Sequence, residues 1–165
     1  MTLAELNDCD RARFVEALGG IFEHSPWVAE RAWERRPFAS VDELHDAMTL
    51  EVARAPLPKQ LALLRGHPDL GTRARMSDSS AAEQSGAGLD RMAPAEFERL
   101  QSLNTAYWQK FGFPFLFAVK GSTASQILAA MEERLPSTPD AELAEALRQV
   151  SRIAQFRLEV AIAVG

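Results

Sequence analysis

One segment of this 165-residue chain has the composition of a β-strand, and no second segment could pair with it. The segment reads Phe113-Pro-Phe-Leu-Phe-Ala-Val119 and is almost entirely apolar. A strand requires a hydrogen-bonded partner to be stable in water. We therefore expect residues 113–119 to run as an extended segment through the core of an otherwise helical, all-α protein.

Helix signals dominate the remainder of the chain. Capping-box pairs and caps placed before a proline mark four helix starts, at Thr2 with Glu5, Ser40 with Glu43, Ser25-Pro26 and Thr138-Pro139. Gly19-Gly20 and Gly112 are expected to end helices, because glycine tolerates a left-handed terminal residue. The pattern predicts nine helices, at residues 2–8, 10–18, 26–35, 41–55, 58–65, 80–86, 94–111, 123–135 and 139–163.

The length and composition fit one globular domain. A chain of 165 residues can bury a continuous core, and 47% hydrophobic with 25% charged residues is ordinary for a folded protein. We find no internal repeat, low-complexity tract or linker. The sequence thus predicts a single compact multi-helix domain over residues 1–165. Its longest irregular stretch, Gly66 to Ser79, is a candidate functional loop.

Charge and cysteine content restrict the partners. A net charge of -5 disfavours binding to nucleic acid or to an anionic membrane. No apolar run approaches the roughly 20 residues that span a bilayer. Cys9 is the sole cysteine, which excludes an intramolecular disulfide and a cysteine-based metal site. Since the first ten residues are also unlike a signal peptide, we expect a cytoplasmic protein.

An arginine interrupts the apolar stripe of the last helix. The stripe advances in steps of three and four residues, through Leu143, Leu147, Val150, Ala154, Arg157 and Ala161. Arg157 could form a buried ion pair or extend its head to solvent. It could also face a pocket and bind a carboxylate or amide oxygen. Asn104 interrupts the apolar face of the helix at 94–111 in the same way. We expect its side chain to hydrogen-bond the backbone of a neighbouring loop.

His67 is the strongest candidate for acid–base chemistry. It lies in Gly66-His67-Pro68-Asp69, where the proline disfavours helix and holds the imidazole on a defined turn. An ordinary pKa near about 6.5 allows histidine to exchange protons at neutral pH. The alternative is that this motif only ends a helix and turns the chain. A metal site is not expected, since His67 and Asp69 supply two ligands at most.

A second candidate follows the long loop, in Ser80-Ala-Ala-Glu83-Gln84. Ser80 and Glu83 have capping-box spacing, which by itself predicts a helix start. A helix N-terminus also presents N–H groups that suit ureido oxygens or an anion. Glu83 therefore has two possible roles, as a cap or as a carboxylate that polarises His67.

These motifs together resemble one family, the 2-oxo-4-hydroxy-4-carboxy-5-ureidoimidazoline (OHCU) decarboxylases. The resemblance covers almost the whole chain, in the expected order. It rests on Phe22-Glu-x-Ser-Pro-Trp27, Arg36-Pro-Phe38, His67-Pro-Asp-Leu70, Ser80-x-x-Glu83-Gln84-x-x-Ala87-Gly-Leu89, Leu103-Asn-x-x-Tyr107-x-x-Lys-Phe-Gly-Phe-Pro-Phe115 and Arg157-Leu158. The chain departs from the family pattern at Gly71-Thr-Arg73 and in the bulky Leu116 and Phe117, which could tune the shape of the pocket.

The resemblance implies a function and a set of site residues. The family converts OHCU into S-allantoin and carbon dioxide in urate catabolism, in an all-α fold, without a cofactor or metal, and usually as a homodimer. Catalysis would then fall to His67, aligned by Glu83. The implied substrate-binding residues are Pro68, Ser80, Gln84, Arg157 and the segment Phe115, Leu116, Phe117, Ala118 and Val119.

Two alternatives to this function remain open from the residues alone. A related helical hydrolase or tautomerase would also use His67 and would differ in its product. A helical binding module would keep the His-Pro-Asp turn for structural reasons and would show no turnover. The group that protonates carbon after loss of carbon dioxide is not identified by the sequence.

Overall fold

A computed structural model describes residues 1–71 and 77–163. In this part of the chain the secondary structure is helical, with one isolated bridge between Thr2 and Ala163 and no strand. The all-α prediction is confirmed. The helices are α1 Leu3–Asp8, α2 Arg11–Leu18, α3 Trp27–Ala32, α4 Val41–Arg54, α5 Leu57–Arg65, α6 Asp78–Gly86, α7 Pro94–Phe111, α8 Ala124–Arg134 and α9 Pro139–Ala161, and a 3-10 turn at Trp33–Arg35 follows α3.

Most of the predicted helix ends have the expected chemistry. The Thr2 and Glu5 side chains form a reciprocal capping box, and the Thr138 hydroxyl accepts from the Ala141 N–H. Ser40 accepts from the Glu43 N–H as expected, although the Glu43 carboxylate bonds the Ala39 N–H and not that of Ser40. The cap predicted at Ser25 is wrong, because its hydroxyl donates to the Glu23 carbonyl.

The two glycine terminators differ in conformation. Gly112 follows α7 with φ 75°, in the left-handed region that the sequence predicts. Gly19 also follows the last residue of its helix, but its φ is -64° and it stays right-handed. The left-handed end predicted at Gly19 is therefore wrong, although the helix does end there.

The chain divides into two compact units. The first contains Met1–Gly66 together with the residues from Ser151 onward, and the second is His67–Val150. In the first unit α3 packs against α2 and α4. Its core consists of fully buried apolar side chains, among them Leu6, Phe14, Val28, Leu44, Met48 and Leu63. The single domain over residues 1–165 stays a prediction.

In the second unit, α7 packs against α8 around Leu100, Tyr107, Ile127 and Met131. The segment predicted to be extended forms no helix or strand. Residues 114–119 run without a helix, strand, turn or bend, and Phe115 and Leu116 are buried. The threaded segment is thus part of the core of this unit.

The buried face of α9 differs from the predicted stripe. Arg157 is buried as expected, but Leu143 and Leu147 are half-buried and Ala161 is exposed. The true inward face lies about one residue away, and it consists of Glu142, Ala146, Gln149, Val150, Ile153, Ala154, Arg157 and Leu158. This shift brings two further polar side chains, Glu142 and Gln149, to the buried face. Throughout the described ranges, no helix has both the length and the apolar character needed to cross a membrane.

Candidate active site

His67 lies on a short loop that follows α5. The Gly66 N–H bonds carbonyls of the last turn of α5, and the chain leaves the helix at His67-Pro68. The imidazole is 8% exposed, so it is buried far more deeply than a histidine on a surface turn. The proline restricts the backbone at His67, and burial limits the positions that the imidazole can adopt, which favours directed proton transfer.

Three consecutive residues after Pro68 are each held by a side chain. The Trp108 Nε1 donates to Asp69 Oδ1 at 2.8 Å. The Asn104 Nδ2 donates to the Leu70 carbonyl at 2.9 Å, which is the loop contact predicted for this amide. The Gln84 Oε1 accepts from the Gly71 N–H at 2.8 Å. Gln84 belongs to α6 and the other two side chains belong to α7, so two helices supply these bonds. The loop that carries His67 is therefore firmly anchored at its far end.

Gly71 closes this anchored stretch in a conformation that requires glycine. Its φ is +73°, in the left-handed region that residues with a Cβ rarely adopt. A Cβ at this position would lie 2.4 Å from Leu100 Cδ2. The backbone conformation thus disfavours a side chain here, and the Leu100 side chain would have to move to admit one. The residues that follow in the long loop, 72–76, include the departure at Thr72-Arg73 and lie outside the described part of the chain.

The helix that carries Ser80, Glu83 and Gln84 starts earlier than predicted. Ser77 is its cap and accepts from the Ser80 N–H at 3.1 Å, so the capping role predicted for Ser80 is wrong. Ser80 and Glu83 therefore lie within α6, and Ser80 is its third residue. Residues three and four apart share one face of a helix. Ser80 and Gln84 are buried and Glu83 is half-buried on that face.

Two side chains hold the segment of residues 115–119, the buried Gln149 and the half-buried Arg134. The Arg134 Nη1 donates to the Leu116 carbonyl at 2.7 Å, and the Gln149 Oε1 accepts from the Ala118 N–H at 3.0 Å. The rings of Phe115 and Phe117 stack at 5.9 Å and 13°, as side chains two residues apart do on an extended chain. The backbone of the segment therefore follows a defined path, with the Leu116 carbonyl and the Ala118 N–H bound by protein side chains.

Arg134 belongs to a buried polar cluster. Its Nε donates to Glu142 Oε1 at 2.6 Å, and the Tyr107 hydroxyl donates to the same oxygen at 2.6 Å. Burial and the neighbouring Glu142 carboxylate raise the pKa of Tyr107 well above its usual range. The phenol therefore remains a hydrogen-bond donor. The Tyr107 ring also packs edge-on against Phe115 at 5.4 Å, which brings α7 into contact with the segment.

Arg157 lies in the first unit, where it forms a buried ion pair. Its Nη1 is 2.9 Å from Glu23 Oε2, and the two side chains are 5% and 0% exposed. The same nitrogen is 3.4 Å from the Ile21 carbonyl. The ion pair that periodicity allowed for Arg157 is therefore present.

Comparisons with known proteins show which family the chain belongs to. The model of the OHCU decarboxylase family matches residues 7–159, which is most of the chain. The chain belongs to this family. Among the described residues, no group of three or more His, Cys, Asp and Glu could hold a metal ion.

Relatives named as OHCU decarboxylases span nearly the same length. The protein of Haloferax volcanii is 50% identical over 96% of this chain and 94% of its own length. That of Mus musculus is 34% identical over 96% of this chain and 91% of its own. A Bacillus subtilis relative named a bifunctional uric acid degradation protein is 45% identical, and the match covers 32% of it.

Two solved structures are similar to the OHCU decarboxylase fold of this chain. The crystal structure of an (S)-allantoin synthase has a TM-score of 0.82 and 34% identity, and the match covers 98% of this chain. The chain spans only about half of that longer protein, 54% of its length. An OHCU decarboxylase crystallised in the presence of (S)-allantoin has a TM-score of 0.71, covers 92% of this chain and 97% of its own, and supports the fold alone at 22% identity.

Several residues that orient the predicted site were not predicted from the sequence. Trp108, Arg134 and Gln149 were not singled out, although each bonds the His67 loop or the 115–119 segment. Glu142, which pairs with Arg134, was not singled out either. A signal for two of them was available. Glu142, Ala146, Gln149 and Ile153 are spaced by four, three and four residues, so a helical stripe displaced by one residue would have placed both polar side chains inward.

Proposed function

We propose that this protein decarboxylates OHCU to S-allantoin and carbon dioxide in urate degradation. The observation that carries the proposal is the burial of His67 on a loop whose next three anchored residues bond Trp108, Asn104 and Gln84. A structural turn would not require a buried imidazole next to such a rigid support. Membership of the OHCU decarboxylase family supplies the substrate.

The chemistry requires little beyond orientation and one proton. Loss of carbon dioxide leaves an electron pair, and the conjugated ring of OHCU can delocalise it without an organic cofactor. The protein then needs to hold the carboxylate out of the ring plane, stabilise the developing charge and deliver a proton to one face. We assign the acid–base role to His67, which interacts with the substrate hydroxyl and is aligned by Glu83.

Substrate binding is assigned to the residues that the resemblance to the family implies. Pro68 adjoins His67 in the chain, and Ser80 and Gln84 share one face of α6. Gln84 also fixes the His67 loop through Gly71. The backbone of residues 115–119 would bind the ring and ureido groups, because an irregular chain has amides and carbonyls that no helix uses. Arg157 would contribute a charged donor to the substrate.

The wider biological setting follows the family. The match over residues 7–159 supports one OHCU decarboxylase-like domain over residues 1–165. A single cysteine suits a reducing compartment, which supports a cytoplasmic enzyme. A homodimer is expected from the resemblance to the family. The net charge supports small-molecule partners, OHCU and S-allantoin, with no role in nucleic acid or membrane binding.

The proposal is tested by direct turnover. OHCU is generated in situ from urate, and S-allantoin formation is followed by circular dichroism with and without this protein, in the presence and absence of a chelator. We expect a large acceleration, a single enantiomer and no effect of the chelator. A different product would indicate the related hydrolase or tautomerase, and no acceleration would indicate a binding module.

A further inference from the structure

The two edges of the 115–119 segment have different environments. In an extended chain the N–H and carbonyl of one residue point to the same side, and successive residues alternate. Leu116 and Ala118 therefore face one edge. Phe115, Phe117 and Val119 face the other. The near-parallel stacking of the Phe115 and Phe117 rings supports this alternation.

Protein side chains occupy the Leu116 and Ala118 edge. Arg134 donates to the Leu116 carbonyl at 2.7 Å, and Gln149 accepts from the Ala118 N–H at 3.0 Å. These contacts come from two helices, α8 and α9, and they grip the chain at alternate residues. These two bonds take the place of the hydrogen bonds that a neighbouring strand would make.

The groups that hold this edge are themselves fixed. The Arg134 guanidinium lies 4.4 Å above the Phe115 ring and is paired with Glu142, whose side chain is 1% exposed. Gln149 donates to Glu145 Oε1 at 2.8 Å. A guanidinium bound on several sides has few alternative rotamers. It therefore fixes the position of the Leu116 carbonyl closely.

The opposite edge offers polar groups to a ligand. Among the described residues, the N–H groups of Phe117 and Val119 donate no hydrogen bond within the protein, and the Phe117 carbonyl accepts none. The Val119 carbonyl accepts from the Ser122 N–H. Val119 is buried and Phe117 is half-buried. Because backbone polar groups that are kept from water need a partner, a bound ligand is a natural complement of these groups. A ureido group carries both N–H donors and a carbonyl acceptor, which match this set.

We infer that Arg134 and Gln149 are positioning residues that present the Phe117 and Val119 edge of the segment to the substrate. The inference rests on the proposed function, and it adds two residues that would not touch the substrate themselves. Arg134 would act through the Leu116 carbonyl and Gln149 through the Ala118 N–H. Both contacts set the direction of the donors and the acceptor on the far edge.

Two variants test this role without deleting the buried charge. Arg134→Lys keeps a cation beside Glu142 but loses the planar set of donors, and Gln149→Met keeps similar volume but loses the acceptor. The matched control is Arg99→Lys, which alters an exposed Arg–Glu pair in the same unit. Steady-state kinetics with OHCU and S-allantoin titrations are measured on all three, together with melting temperature.

We expect both test variants to raise KM and the dissociation constant of S-allantoin by about tenfold or more, with a smaller change in kcat. The control should behave as the wild type. In spectra of the wild type, S-allantoin should shift the amide resonances of Phe117 and Val119 more than that of Ala118.

A lowered melting temperature with unchanged KM and S-allantoin affinity would overturn the positioning role, as would a dominant shift at Ala118. If the wild type neither turns over OHCU nor binds S-allantoin, the proposed function itself is wrong. The two failures are therefore distinguishable.

Discussion

The indole nitrogen of Trp108 donates a hydrogen bond to Asp69 Oδ1 at 2.8 Å, two residues beyond His67. Trp108 follows Tyr107, whose ring packs against Phe115. Neighbouring residues of α7 thus contact both the histidine loop and the 115–119 segment. We conclude that α7 is the common support of the two parts of the candidate site in the second unit.

Removing the Trp108 donor should loosen the His67 loop. We expect Trp108→Phe to lower kcat/KM for OHCU about tenfold, because small displacements of a catalytic group are costly, and to lower the free energy of unfolding by about 1 kcal/mol. Trp33→Phe is the matched control, since Trp33 Nε1 donates to the Cys9 carbonyl in the first unit. Equal kinetic losses in the two variants would contradict a specific role of Trp108.

Gly71 should not tolerate a side chain. Gly71→Ala forces a Cβ against Leu100 in a left-handed conformation, and we expect it to cost about 1–3 kcal/mol of unfolding free energy and most of the activity. Gly121→Ala has a similar φ, +80°, with no atom within 4 Å of the added Cβ. It should therefore show the backbone cost alone, about 1 kcal/mol. Chemical denaturation measures both, and equal costs would argue against the Leu100 contact.

Tyr107 is the only tyrosine, so its ionisation can be read directly from the ultraviolet absorbance of tyrosinate. Because burial and Glu142 raise its pKa in the folded state, its contribution to stability is complete below the ordinary pKa of about 10 and is lost as the pH rises above it. We expect no tyrosinate in the native protein until alkaline unfolding begins, and ordinary titration in urea. Native titration near pH 10 would show that the phenol is not held by Glu142.

The two possible roles of Arg157 can be separated by removing its partner. Arg157→Met leaves the buried Glu23 carboxylate without its cation, and we expect a loss of about 3–5 kcal/mol in unfolding free energy. Adding Glu23→Gln should recover much of that loss. If Arg157 also binds the substrate, the double variant should still bind S-allantoin about tenfold or more weakly. Wild-type affinity in the double variant would restrict Arg157 to a structural role.

The sequence was sufficient to predict most of the helices, the lack of a strand at residues 113–119 and the loop contact of Asn104. These features depend on local chemistry, such as caps, periodicity and the lack of a strand partner. The cap predicted at Ser80 was wrong because Ser77 offers the same hydroxyl three residues earlier. The two possible helix starts differ only in which residues precede the helix. Boundaries of this kind depend on how the preceding loop packs.

A displaced helical stripe could have placed Glu142 inward, but local signals could not identify the partners of its carboxylate. Glu142 lies in the first turn of α9 and Arg134 in the last turn of α8, where acidic and basic residues ordinarily complement the helix dipole at the surface. The structure instead joins them at the 115–119 segment with Tyr107. Their role follows from contacts between residues distant in the chain, which spacing within one helix does not reveal.

The most direct test of the central claim is the rate of S-allantoin formation by a His67→Asn variant. Asparagine keeps approximate size and hydrogen bonding but does not titrate near neutral pH, and His45→Asn serves as a control because His45 bonds the Ser151 carbonyl in the other unit. With OHCU generated in situ and circular dichroism as the readout, we predict a fall of at least about a hundredfold for His67→Asn, near-wild-type rates for His45→Asn and intact folding of both. Near-wild-type turnover by pure, folded His67→Asn protein would contradict the assignment of His67 as the catalytic residue.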